Sequence, residues 1–212
     1  MRVLPLLATA LGLLGLFALS EVGRRRGLPA ETTRRFVHVA GAGATALFPL
    51  YLNLGEVVGL AVVFTAFLGW TYIRGSLRSV HAVARPTLGA VVFPVGLGLV
   101  AIAVWSHPAA FSYAALVLAL ADPAASVVGR RMAGPSWTVP GGRKSVPGSV
   151  GFLIVAFALG TTFVGVEGSG MFLAAAGSAV ALTAVEAGLG FGLDNLLVPL
   201  IAGLLGEYWL RL

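Results

Sequence analysis

The sequence predicts an all-α fold: a polytopic membrane-embedded helical bundle of about eight transmembrane helices, seven being the alternative count, with the N-terminus outside. Three observations predict it. The 212 residues are 58% hydrophobic and only 10% charged, against about 25% charged in soluble domains; a water-soluble core of this size cannot hide so much apolar surface. The apolar runs approach the ~20 residues a membrane helix needs, not the ~10 alternating residues of a barrel strand. The basic residues fall almost entirely in alternate loops.

The expected spans, with ends uncertain by ~2–4 residues, are 3–20, 36–52, 57–73, 87–105, 109–128, 150–166, 171–187 and 193–210. Loops 21–35, 74–86 and 129–149 separate the first and second, third and fourth, and fifth and sixth. They hold Arg24, Arg25, Arg26, Arg34 and Arg35, then Arg74, Arg78 and Arg85, then Arg130, Arg131, Arg143 and Lys144, which is 12 of the 14 basic residues. Arg2 and Arg211 are the exceptions. The positive-inside rule therefore puts the three loops in the cytoplasm of a multi-pass cell-membrane protein. A signal peptide ending at Ala18-Leu19-Ser20 is the other reading of the first span, but cleavage there would leave five arginines outside. The net charge of +6 reads as membrane orientation, not nucleic-acid binding. There is no cysteine, which excludes disulfides, thiolate metal sites and cysteine nucleophiles. Residues 1–212 read as a single domain.

Ionisable groups inside a bilayer are expensive and usually functional. Asp122 lies inside the fifth span, near its cytoplasmic end. Glu186 lies near the end of the seventh span, Asp194 and Asn195 open the eighth, and Arg34, Arg35 and His38 lead into the second, all on the same side. Glu56, His107, Glu167 and Glu207 fall on the other side and read as solvated. Asp122, Ala125 and Gly129 share one helical face by their i, i+3, i+7 spacing, giving an acid followed by a groove; the structural alternative is a small-residue packing face. Arg130 and Arg131 could be orientation anchors. Arg143-Lys144-Ser145 precedes Pro147-Gly148-Ser149 and a helix. With Ser149 as N-cap, free backbone N–H groups and the helix dipole would favour phosphate, although no Walker A motif is present. Glu186, Asp194 and Asn195 flank a glycine-rich turn and could hold Mg²⁺ through oxygen; capping is the alternative for Asp194.

D-x-x-A-x-x-x-G-R-R (Asp122 to Arg131), K-S-x-x-G-S (Lys144 to Ser149) and the stretch from Glu186 through D-N-L-x-V-P-L to Leu200 resemble the CTP-dependent polyprenol and lipid kinases, a family that includes phytol, farnesol and dolichol kinases and a CTP-dependent diacylglycerol kinase. R-R-F-V-H (Arg34 to His38) is similar to the family's basic-basic-x-x-His. The resemblance implies transfer of the terminal phosphate of CTP to a lipid alcohol drawn from the surrounding membrane lipids, with Mg²⁺ as cofactor. It implies catalytic roles for Asp122, Lys144 and Asp194. Nucleotide or phosphate contacts would come from Arg35, His38, Gly129, Arg130, Arg131, Arg143, Lys144, Ser145, Gly148 and Ser149, and metal contacts from Asp122, Glu186, Asp194 and Asn195. Asp122 and Asp194 both remain open as the base. A homo-oligomer is compatible with all of this. One departure is that Pro147 stands where the family often has Glu, so the chain does without that group or uses Asp122 or Glu186.

Two other functions compete. A phosphatidate cytidylyltransferase would share D-x-x-A and K-[ST]-x-x-G, but its H-G-G-x-x-D-R-x-D is absent here. A transporter would suit Asp122 and the Gly/Pro-broken spans, but expects polar groups near the midplane and access from both sides.

Overall fold

The computed structural model describes residues 3–82, 87–164 and 169–212. Arg2, Arg85, Val166 and Glu167, named above, lie outside them. Each expected span overlaps a helix: α1 (Val3–Arg25), α2 (Ala30–Thr45), which ends seven residues before the expected 36–52 does, α3 (Leu54–Ile73), α5 (Gly89–Val104), the unit of α6 (Pro108–Leu116) and α7 (Asp122–Arg131), α8 (Val146–Val164), α9 (Ser169–Gly188) and α10 (Asp194–Tyr208). Five are long and apolar enough to cross a membrane: α1, α3, the α6–α7 unit, α8 and α9. The others are shorter. With 16 residues, α5 is about 24 Å long, less than the ~30 Å hydrocarbon thickness.

Small residues decide the packing. A Cβ on Gly96 of α5 would come within 2.4 Å of the Asn195 carbonyl oxygen, and one on Gly203 of α10 within 3.0 Å of Val100. With glycine there, α5 and α10 approach closely, as membrane helices do at small-residue stripes. α5 also packs on α3, α8 on α7 and α9, and α10 on α6. The core centres on Phe111, Tyr113, Phe152 and Leu182, none of which is exposed.

The three loops differ from expectation. The first is mostly helical: α1 runs on to Arg25 and α2 starts at Ala30, because Pro29 suits the residue just before a helix and the arginines are good helix formers. The second holds a short helix, α4 (Arg78–His81), which packs on α1 and α2. In the third, the all-α expectation gives way to a hairpin, β1 (Ser136–Val139) against β2 (Gly142–Ser145), with Trp137 opposite Lys144. Pro140-Gly141 closes it, Gly141 taking the positive φ of +74° that the second central position of such a turn requires.

The far end of the bundle corrects another expectation. Glu56 is not solvated but buried: it closes a capping box with Asn53 at the start of α3. Glu207 is largely buried and lies 3.6 Å from His107 Nε2.

Candidate functional site

The polar residues of α2, α7, the hairpin, α8, α9 and α10 meet in one cleft of about 810 Å³. Its floor is a buried charge cluster. Lys144, on β2, donates to Glu186 Oε1 and, at 3.3 Å, to Asp194 Oδ2. Carboxylate oxygens of Asp122, Glu186 and Asp194 all lie within 4.8 Å of one another. Burial alone would push the Lys144 ammonium toward neutrality; Asp194 and Glu186 outweigh it, so its pKa is raised.

Three acids gather around Lys144, with His38 beside Asp122, and among the described residues Glu186 Oε2 is buried without a hydrogen-bond partner. Buried carboxylates demand compensation. Asp122, Glu186 and Asp194 therefore form a donor set suited to a small hard cation, which takes oxygen ligands.

Two local features aim these side chains. The first is a π-helical segment, Val117–Ala121, between α6 and α7. A π turn shifts the ladder to i→i+5, so the N–H due to reach the Leu118 carbonyl is that of residue 123, a proline without one. His38 fills the vacancy: its Nε2 lies 2.8 Å from Leu118 O. The same nitrogen is 3.7 Å from Asp122 Oδ2. The bulge, the proline, the histidine and the acid thus form one device joining α2 to α7.

The second feature is the turn before α10. Gly190 packs so tightly on the hairpin tip that a Cβ would meet Pro140 O at 1.8 Å, and one on Gly192 would meet Gly89 Cα at 2.3 Å. Leu88 N–H donates to Phe191 O at 2.9 Å. Hairpin, α5 and turn are locked backbone to backbone, which carries Asp194 up to Lys144. Asn195, expected among the metal contacts, has its side-chain N–H on Gly89 O at 2.9 Å and tethers α10 to α5.

The expected phosphate wall is partly rearranged. α8 begins at Val146, so Ser145 and not Ser149 is its cap: Ser145 Oγ accepts from Gly148 N–H at 3.2 Å. Proline in the first turn is compatible with a helix, and Pro147 therefore does not delay it. Val146 N–H bonds to Pro135 O and Pro147 has none, so the expected free amides at this helix start are already taken. Among the described residues, Ser149 Oγ is buried without a partner. Gly129 and Gly148 line the cleft and also touch: a Cβ on Gly129 would lie 3.3 Å from Gly148 Cα. The packing reading of the small-residue face and the groove reading both apply.

Cations fill the rim. Arg35, Arg130 and Arg143 line the cleft, and Arg130 reaches Glu31 at 3.1 Å. Arg131 is exposed and is not among the lining residues. Arg34, expected on this face with Arg35 and His38, lines it too, as do Glu31, Ser126 and Ser136, which were not among the expected site residues. The signal for Glu31 was its spacing: it sits three and four residues before Arg34 and Arg35, ion-pair positions on a helix, at 4.0 and 3.8 Å.

A second, narrower cavity of about 90 Å³ lies between α1, α2, α3 and α5. It is walled by Phe17, Phe48, Leu60, Phe64 and Phe93, and it shares Arg34 and His38 with the polar cleft.

No family model matches the chain, and no solved structure does. A curated relative does match: the phytol kinase of Synechocystis sp. (strain ATCC 27184 / PCC 6803 / Kazusa) is 33% identical over 217 residues, covering 97% of this chain and 92% of the relative. With the charge cluster in place and that identity running through nearly its whole length, the chain belongs to the CTP-dependent polyprenol and lipid kinase family, to which phytol kinase belongs.

Proposed function

We propose that this protein is a membrane-embedded kinase that moves the terminal phosphate of CTP to the hydroxyl of a lipid alcohol (phytol, farnesol or another prenol) at the cytoplasmic interface of the cell membrane. The observation that carries the reading is the buried Lys144–Glu186–Asp194 cluster, with Asp122 beside it, at the base of an arginine-rimmed cleft. Phosphoryl transfer depends chiefly on positioning and on neutralising charge, and the cleft offers residues for both.

In the proposed reaction the alcohol oxygen attacks the γ-phosphorus. A new P–O bond forms, the bond from that phosphorus to the β–γ bridging oxygen breaks, and CDP leaves with the electron pair. The alcohol proton passes to a carboxylate, Asp122 or Asp194. Lys144 faces the developing negative charge, and Arg35, Arg130 and Arg143 bind the polyphosphate. Asp122, Glu186 and Asp194 would hold Mg²⁺, which supplies charge neutralisation when bound. The arginine-bearing loops, and with them the cleft, face the cytoplasm in this reading.

The test is transfer from γ-labelled CTP, with Mg²⁺, to a panel of lipid alcohols. Labelled lipid phosphate and CDP support the kinase. Pyrophosphate released in the presence of phosphatidic acid would replace it with a cytidylyltransferase. Neither product across the panel would return the protein to the transporter reading.

A further inference from the structure

We infer that the narrow cavity between α1, α2, α3 and α5 holds the hydrocarbon chain of the lipid alcohol, one unsplit chain threaded past His38 so that its hydroxyl emerges beside Asp122. The inference rests on the kinase reading for the identity of the occupant, but its geometry stands separately. The cavity and the cleft adjoin at His38 and Arg34, which line both. On one side of that junction the walls are aliphatic and aromatic; on the other they carry the acids and Lys144. An amphiphile with a polar end and an apolar tail matches this division.

Helix α2 carries the path. Arg34, His38, Gly41 and Thr45 recur at intervals of four, three and four, so they form one stripe along the helix, and all four line the cavity. Gly41 is the informative one. It is buried, yet a Cβ built on it meets nothing within 4 Å among the described residues. A buried glycine normally marks a close approach; this one marks open space. At about 90 Å³, the space suits part of a single chain and not the two tails of a diacylglycerol.

The experiment uses the full chain in lipid nanodiscs with a farnesol analogue bearing a diazirine, photolysed and mapped by peptide mass spectrometry. Label is expected on the α2 and α3 peptides carrying Gly41, Leu60 and Phe64. Farnesol should displace it; excess phospholipid or diacylglycerol should not. Gly41→Ala should keep the label, since the added carbon meets nothing, and Gly41→Leu should lower it by about tenfold or more, the usual scale for a mis-sized apolar pocket. Leu60→Trp plugs the opposite wall if Gly41→Leu does not fold. In the CTP assay the plugged variant should lose phytol before geraniol. Label elsewhere, equal displacement by phospholipid, or undiminished label in both plugged variants would overturn the inference. If the wild type phosphorylates no alcohol, the kinase reading fails while the label still decides whether a prenyl chain occupies this cavity.

Discussion

The first and last helices solve opposite problems. α1 is 23 residues of almost uninterrupted apolar sequence, and Ser20 is its one buried residue. α10 is only 15 residues long, yet it buries Asp194, Asn195, Val198, Ala202, Gly203 and Gly206. α1 is long and apolar enough to span a bilayer, with most of its surface facing outward; α10 is too short to qualify by length and carries Asp194, one of the four charged groups of the cluster. The difference teaches where function sits in a fold of this kind. A long apolar helix such as α1 forms wall, while the short α10 lies inside and brings Asp194 to the Asp122 and Glu186 that two longer helices carry and to Lys144 on the hairpin. α2, with His38, and α5, whose Gly89 receives the Asn195 amide, belong with α10.

The comparison can be broken most directly by chemistry. Asp194→Asn and Lys144→Ala should each lower phosphate transfer roughly 10²–10³-fold, the scale for removing one preorganised charge-stabilising group. Leu11→Ala on the outer face of α1, where Leu11 is 67% exposed, should leave both rate and stability nearly unchanged, within about 0.5 kcal/mol. Labelled-CTP transfer measures the first, and thermal unfolding in detergent the second. Equal losses at the two helices would dissolve the distinction.

Two glycines sharpen it. Gly192, at φ +85° and against Gly89, cannot take a side chain without moving the turn that delivers Asp194. Gly192→Ala should cost about 1–3 kcal/mol from overpacking and about 1–2 kcal/mol more from its left-handed backbone. Gly12 of α1 has nothing within 4 Å of its missing Cβ. Gly12→Ala should stabilise by about 0.5–1 kcal/mol, the helix-propensity difference. Melting temperatures of the two variants should therefore move in opposite directions.

The smallest effect concerns α4. Burial, helped by the charge of Arg34, lowers the His81 pKa below the usual 6.5. The fold thus favours the neutral imidazole, whose Nε2 lies 3.0 Å from Thr71 Oγ1. That contribution is complete above the unfolded value and is lost as pH falls through the lower folded one. Wild type should lose melting temperature as pH falls below the usual histidine value of 6.5, and His81→Gln should lose less over the same fall.

Hydropathy and the arginine pattern made the helices legible because both report contact with lipid and headgroups, which every residue on an outer face makes for itself. The intramembrane acids were legible for the same reason: a charge in an apolar run has no cheap explanation. Glu56 shows the limit, since the same loop-edge position serves a solvated acid or a buried cap. The hairpin is a shorter-range failure. Pro140-Gly141 between Thr138-Val139 and Arg143-Lys144 was a turn signal, masked by reading the whole stretch as loop. Ser149 directly precedes the apolar run that starts at Val150, but a first-turn proline belongs inside a helix, so the helix starts earlier, at Val146, and Ser145 caps it. The locking of Gly190 and Gly192 onto the hairpin tip and α5 has no sequence signature at all, because it depends on backbone from three distant segments arriving together.

The π segment before Asp122 works as a rotational index. A helix advances about 100° per residue, so the five residues Val117–Ala121 fix the phase of everything after them. The same residues wound as plain α-helix would keep the composition, the hydropathy and the pattern of arginines. Without the extra residue that the π turn takes up, however, Ala121, Ala124 and Val128 would stand where Asp122, Ala125 and Gly129 stand now. Whether this helix presents an acid or an alanine to the cleft is, in the end, a matter of counting.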